Sequence, residues 1–274
     1  MTRILDGVLV LDKPGGVTSH DVVDQVRARL GTRRVGHGGT LDPDATGVLV
    51  VGVGRATRLL EYAQAAPKRY RATARFGSAT STQDASGDVI ARAPAAHLTG
   101  DLVEEALASF VGEIDQIPPM VSAVKVAGEA LYKKARRGEE IERAPRRVTV
   151  YAIDLLTFTA GEEPSAELDV RCSGGTFVRT LVHDLGRRLG CGAHLQSLRR
   201  TESGGFSEAE AVDPSEVTER VLLPLAVAVR DMARLDLSAD DAIGVRHGRP
   251  LQAPSELAEG QPVALFSAGN LVAV

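Results

Sequence analysis

The chain has 274 residues, 43% hydrophobic and 25% charged, with a net charge of −4. That is the composition of a soluble globular protein with enough chain for one large domain, or one plus a small appendage. No apolar run approaches the roughly 20 residues of a membrane helix, and the start, MTRILDGVLVLDKPGG, lacks the apolar stretch and cleavage site of a signal peptide. With Cys172 and Cys191 the only cysteines, neither a disulfide framework nor a cysteine zinc site is suggested, and a cytoplasmic address is expected.

In chain order, GVLVLDKPGG reads as a short strand stopped by Lys-Pro-Gly-Gly. Thr18 or Ser19 then caps a helix with Val22, Val23, Val26 and Leu30 on one face. TGVLVVGV is too apolar for a strand with one wet face, so a central position in a sheet is expected. A helix over GRATRLLEYAQAA leads to KRYRATARF, in which Tyr70, Ala72, Ala74 and Phe76 alternate with Arg69, Arg71, Thr73 and Arg75. That period of two predicts a strand with an apolar and a cationic face. The small polar residues of GSATSTQDASG predict a loop, and a helix is expected near 101–112.

KKARRGEEIERAPRR holds seven basic and three acidic residues and reads as an exposed insertion. VTVYAIDLLTF and SAELDVRC are strands, and Gly174 and Gly175 open a helix over TFVRTLVHDLGRRLG. Beyond about residue 230 the chain turns acidic, with short strand-like pieces that suggest a β-rich appendage. Strands with irregularly placed helices favour an α+β fold.

The total charge hides an asymmetry. Residues 1–205 carry 27 basic and 25 acidic side chains, whereas residues 206–274 carry 5 and 11. Bases cluster at Arg33 and Arg34, across 68–75, across 133–147, and at Arg199 and Arg200. Such stripes attract phosphates even on an acidic protein, although solvated faces have the same composition.

Nucleotide fingerprints, phosphate loops and metal-ligand spacings are missing from the sequence. What stands out is Asp42 in VGHGGTLDPDATGVLVVGVG, a carboxylate between Leu41 and Pro43 where a loop enters an apolar strand. An Asp in such a turn often bonds its own backbone. As a nucleophile or base it would need a cation partner, since burying it unpaired is costly, and Arg179 is the candidate. Taken singly, Tyr70, His37, Phe177, Leu198 and Lys13 each have an ordinary structural reading, as core or turn residues.

Taken together, the segments resemble a known family. GHGGTLDPDATGVLVVGVGRATR resembles the catalytic motif of the TruB family of pseudouridine synthases, the bacterial tRNA pseudouridine-55 synthases. VLVLDKPGGVTSHDVV, APKRYRATARFG, TSTQDASG, PPMVSAVKVAGEALYKKARRG and CSGGTFVRTLVHDLGRRLGCGAHLQSLRR follow in the family's order across most of residues 8–205. The resemblance puts the nucleophilic aspartate on Asp42, the base-stacking tyrosine on Tyr70 and the arginine that pairs with the aspartate on Arg179. It puts the loop-wedging histidine on His37, a uracil-pocket leucine on Leu198 and the lysine of a K-P motif, expected at the substrate, on Lys13. Phe177 stands where many members have tyrosine, so a ring can pack beside the base without a hydroxyl.

The resemblance further implies a mixed, mainly antiparallel central sheet with RNA-gripping insertions. It implies a catalytic domain over 1–229 with a basic RNA-binding insert near 120–150, whose Lys133, Lys134, Arg136 and Arg137 would meet phosphates. A short PUA-like module would fill 230–274. The implied reaction converts a flipped-out T-loop uridine of tRNA to pseudouridine in a monomer without cofactor or metal. A non-catalytic RNA-folding protein, or a synthase for another RNA, for instance within a guide-RNA complex, is the alternative.

Overall fold

The computed structural model describes residues 5–122, 124–126, 128–252, 254 and 257–274. The first half of the chain forms β1 (Gly7–Lys13), α1 (Ser19–Leu30), β2 (Val35–His37), β3 (Thr46–Val53), α2 (Leu60–Ala65), β4 (Lys68–Phe76), β5 (Ser78–Thr80), β6 (Val89–Arg92), α3 (Gly100–Ala108) and β7 (Gly112–Gln116). The basic segment follows with β8 (Lys125–Val126), β9 (Glu129–Ala130) and α4 (Leu131–Arg136). Then come β10 (Arg146–Thr159), β11 (Ser165–Cys172), α5 (Val178–Arg188), β12 (Ala193–Ser203) and β13 (Phe206–Ser207). The chain closes with β14 (Ala233–Asp236), α6 (Ala239–Arg246), β15 (Val263–Ser267) and β16 (Asn270–Ala273).

One sheet dominates, in the order β1-β3-β12-β4-β11-β10-β7. Its pairings are antiparallel except β3 with β12, so the expected α+β fold with a mixed, mainly antiparallel sheet is what forms. TGVLVVGV lies inside the sheet, between β1 and β12, because alternate residues of β1 and β3 feed two cores. Leu9, Leu11, Leu49, Val51 and Val53 pack under α1, while Val8, Val10, Val48 and Val50 pack on the opposite face with Ala56, Ala63 and Phe206. A third core joins the apolar face of β4 to α3 and α5.

Helix α1 starts as the sequence predicts. Thr18 caps it in a reciprocal box with Asp21, and Gly31 ends it in the left-handed conformation. GRATRLLEYAQAA is less regular than expected, splitting into a 3-10 turn at Gly54–Arg58 and the short α2.

The cationic face expected on β4 exists geometrically but is cancelled electrically. Arg69 pairs with Asp169 at 2.8 Å and Glu202 at 3.2 Å, Arg71 with Glu167 at 3.7 Å, and Arg75 with Glu163 at 2.7 Å. Neighbouring strands and the turn before β11 supply the acids, which a one-strand reading cannot see. Arg199 is likewise held by Asp12 and Glu208, and Arg200 is buried.

Residues 233–273 form a separate three-stranded sheet, β14-β15-β16, with α6 beside it. Val229, Ala264 and Phe266 join it to Leu59 and Tyr62, in and just before α2.

Candidate active site

Two strands share the second edge of β3. β12 pairs at Thr46 and Gly47, β2 pairs from Val51 to Val53, and residues 38–45 loop out between them. The gap leaves backbone carbonyls to satisfy. Val48 O accepts Arg200 Nε at 2.7 Å and Val50 O accepts Gly38 N at 2.7 Å.

The loop itself is tied down at nearly every residue. Arg200 Nη2 donates to Gly39 O at 3.2 Å, and Ser19 Oγ exchanges hydrogen bonds with both N and O of Leu41. Ala45 N closes a turn on Asp42 O at 3.1 Å, and Pro43 O accepts from Gly16 N and Lys13 Nζ. Gly47 makes the junction possible: its φ is +100°, and a Cβ there would lie 2.2 Å from Arg200 O.

Lys13, expected at the substrate, is fully buried and donates to Pro14 O, Val17 O and Pro43 O at 2.7–2.8 Å. Its three protons are all committed, so the ammonium supports the Asp42 loop from beneath. Burial pushes its pKa down to about 8, against the pull of Asp44 and Asp42.

Asp42 emerges on this scaffold with 40% of its side chain exposed, lining a cavity of about 390 Å³. Arg179, at the second position of α5 and only 4% exposed, faces it side-on: Nε lies 3.0 Å from Oδ2, and Nη2 donates to Oδ1 at 3.2 Å. Such a two-point pair fixes the carboxylate plane as well as its charge. Burial pushes the Asp42 pKa up, Arg179 pulls it back, and the charge of Asp84 raises it further.

Asp84 was not singled out by the sequence reading. Its Oδ2 takes Arg179 Nη1 at 3.1 Å, and its Oδ1 accepts from Thr82 Oγ1, Ser86 N and Ser86 Oγ. Burial opposes the Asp84 charge, but the Ser86 and Thr82 hydroxyls and Arg179 outweigh it and hold its pKa below the ordinary range. Its neighbour Gln83 has φ +65°, a conformation that costs a non-glycine residue about 1–3 kcal/mol, and is held there by Thr180 Oγ1 and by backbone bonding to Leu195. The signal for Asp84 was its setting: one acid flanked at two residues on each side by hydroxyls, the composition of an Asx turn.

Arg179 has its own positioning device. The side-chain amide of Gln116, buried at the end of β7, accepts Phe177 N at 2.9 Å and donates to Phe177 O at 3.2 Å, bracing the start of α5. A Cβ on Gly174 would meet Gln64 O at 2.3 Å, so that turn is pressed against the end of α2. Glutamine carries little sequence signal, and Gln116 was missed for that reason.

Tyr70, Phe177 and Leu198 line the same cavity as Asp42, with Arg146, Lys68 and Arg200. Tyr70 is 8% exposed; burial, the larger influence, and Cys172 push its phenol pKa up while Arg200 pulls it back. Lys68 shares the strand parity of Tyr70, and its Nζ caps the carbonyls of Ala63, Gln64 and Ala66 at the end of α2.

His37 stands outside this cavity. It lines an adjoining cleft of about 630 Å³ that also reaches Asp42 and is walled by His20, Tyr132 and Arg136. His37 Nδ1 is buried without a hydrogen-bond partner among the described residues, and burial, with Arg200 and His20, lowers its pKa, so the ring is neutral at neutral pH.

The four basic residues in and just after α4 divide into two pairs. Arg137 is held by Glu129 and Glu139 at 2.7–2.9 Å, and Lys134 lies 3.7 and 3.9 Å from the same acids, so neither is free for phosphate as expected. Lys133 and Arg136 are exposed without an acidic partner among the described residues, and Arg136 stacks on Tyr132 at 5.4 Å. Among the described residues, no cluster of three or more His, Cys, Asp or Glu side chains could hold a metal ion.

Known proteins share this arrangement of chain. Residues 27–178 match the N-terminal domain of TruB family pseudouridylate synthases, and residues 179–229 match a tRNA pseudouridylate synthase B C-terminal domain. That division falls between Asp42 and Arg179, which the fold brings into contact. The tRNA pseudouridine synthase B of Symbiobacterium thermophilum is 54% identical over 89% of this chain and 82% of its own length. That of Thermobifida fusca is 46% identical over 96% and 91%. Among solved structures, a chain of a Cbf5-Nop10-Gar1 complex superposes with a TM-score of 0.76 at 30% identity, covering 98% of this chain and 77% of its own. A chain of an H/ACA RNP bound to a substrate RNA containing 2'-deoxyuridine gives 0.72 at 26%, covering 97% and 76%. With a matched family domain over more than half its length and such relatives along nearly all of it, this chain belongs to the TruB family of pseudouridylate synthases.

Proposed function

We propose that this chain is a stand-alone synthase that isomerises uridine to pseudouridine in the T loop of tRNA, at position 55. The observation that carries the reading is Asp42, aimed and kept ionised by a two-point guanidinium, in a cavity of a size suited to one small ligand. The curated relatives at 42–54% identity are named for tRNA, whereas the chains from a Cbf5-Nop10-Gar1 complex and an H/ACA RNP stand at 30% and 26%. That difference favours tRNA over a guide-directed substrate. Action as a monomer is part of this reading.

The target nucleotide leaves its loop at a cost of a few kcal/mol. Stacking of the uracil on Tyr70, with Phe177 and Leu198 completing the slot, returns about 1–3 kcal/mol per base. Neutral His37, in the neighbouring cleft, fills the vacated space without desolvating a charge. Asp42 then acts on the nucleoside, at the sugar C1′, its 2′-hydrogen or uracil C6; the C1′–N1 bond breaks, the base turns, and C1′ joins C5. The C5 proton must leave in exchange for one gained at N1. A phenol with a raised pKa is a poor phenolate base, so Tyr70 can only relay that proton, taking it while releasing its own to water.

Residues 1–229 are taken as the catalytic unit and 230–274 as a PUA-like accessory, supported by the separate sheet of the tail and by the family match ending at 229. In tRNA carrying [5-³H]uridine, Asp42→Asn should abolish tritium release while leaving tRNA affinity within about threefold. Retained turnover would reject the reading, and a non-catalytic RNA-folding protein would show no change at all.

A further inference from the structure

Most bases that could hold an RNA backbone are already spent on acids or buried. Against that background the face of β2 opposite the Asp42 cleft stands out. Arg33, Arg34 and Arg58 rim an open depression of about 610 Å³ with an apolar floor including Val35 and Leu60, and His37 forms its wall toward the cleft. Arg33 and Arg58 are exposed, and their side chains make no hydrogen bond or ion pair among the described residues. Arg34 is held through Nε alone by Thr57 Oγ1 at 3.2 Å, which leaves its terminal nitrogens free. The one acid at the rim, Glu61, pairs with none of the three. Three guanidiniums around one depression, none of them in an ion pair among the described residues, stand beside a neutral histidine and form a cradle for oxygen dianions or a run of phosphates.

We propose that Arg33, Arg34 and Arg58 clamp the phosphate backbone of the RNA strand on the side of His37 away from Asp42, next to the extruded nucleotide. The clamp rests on the tRNA reading given above and adds a second grip to it. A strand that runs across His37 with one nucleotide turned into the Asp42 cavity has its neighbouring phosphates over this depression. Pulling on those phosphates holds the loop open while the base is out. The contacts are to backbone, so they contribute affinity and register and carry no sequence information.

The test is tritium release from tRNA across about 50–200 mM salt, for the wild type, for Arg33→Glu with Arg58→Glu, and for a control double reversal, Arg187→Glu with Arg188→Glu, at the far end of α5. The clamp variant should raise KM about tenfold or more, keep kcat within about threefold, and flatten the slope of log kcat/KM against log salt by about 1–2, one lost phosphate contact per unit. The control should move the slope by less than half as much. An unchanged KM and slope, or an equal shift in the control, overturns the clamp. Absence of wild-type turnover would overturn the tRNA reading instead; filter binding of a hairpin RNA by the same three proteins then decides the clamp, and equal affinities reject it.

Discussion

The Asp42 carboxyl is pulled two ways, and the balance can be read in a pH profile. Burial and the charge of Asp84 hold its pKa above the ordinary 3.8, while Arg179 pulls it down. The acid limb of kcat/KM should therefore lie above 3.8, and Asp84→Asn, which removes a like charge, should move that limb to lower pH while reducing kcat about 10- to 100-fold through a less constrained Arg179. A limb that moved upward would remove Asp84 from the network. The same imbalance has a thermodynamic side. With the folded pKa above the unfolded one, ionising Asp42 costs nothing below the unfolded value, and the cost grows to its full size as pH rises through the folded value. Asp42→Asn should thus raise Tm at neutral pH and lose that gain in acid, as expected where activity is kept at the expense of stability. Calorimetry at the two pH values decides it. At this scale the pairing of Asp42 with Arg179 was legible through the family motif, since a carboxylate entering an apolar strand demands a cation without showing which base supplies it. Lys13 was misplaced because a K-P motif shows which residue is special without showing which way its ammonium points.

Among the elements, α5 depends on a residue far from it in sequence. Gln116→Ala removes both amide contacts to Phe177 and leaves Phe177 N without its partner, a cost of about 1–3 kcal/mol, and should lower kcat about tenfold or more through a tilted Arg179 with little change in KM. Gln116→Glu keeps the acceptor and should recover part of the rate. Single-turnover tritium release separates the two, and a wild-type rate in the alanine variant would reduce Gln116 to packing. In α4, reversing Lys133 and Arg136 should raise KM for tRNA more than reversing Lys134 and Arg137, which are already engaged with Glu129 and Glu139. Equal effects would mean that those ion pairs open when RNA binds. In the main sheet β1, β3, β4, β10 and β11 were legible because apolar runs and period-two patterning act locally, whereas β7 and β12 were not singled out. The neutralised arginines of β4 were not legible either, since their partners lie on β11, on β12 and in the turn before β11, and appear only when the sheet order is known.

Across the whole molecule, the tail is joined to the catalytic sheet through apolar side chains. Val229, Ala264 and Phe266 cover Leu59 and Tyr62, next to the helix end that Lys68 caps and that bears Gln64 of the active-site cavity. Ending the chain at residue 229 should therefore lower Tm and solubility by baring that patch, and differential scanning fluorimetry would show it. An unchanged Tm would make the tail an independent appendage. The mooring of the 38–45 loop leads further. Its anchors grip main-chain carbonyls and amides, so the identities of Thr40, Pro43 and Asp44 contribute little to where the nucleophile sits. In an exhaustive single-substitution survey, intolerance ought to concentrate at Lys13, Ser19 and Arg200, which are distant in sequence and absent from the chemistry. A chemist replacing Asp42 with an unnatural acid would find the mounting still in place, ready to present a different warhead at the same spot.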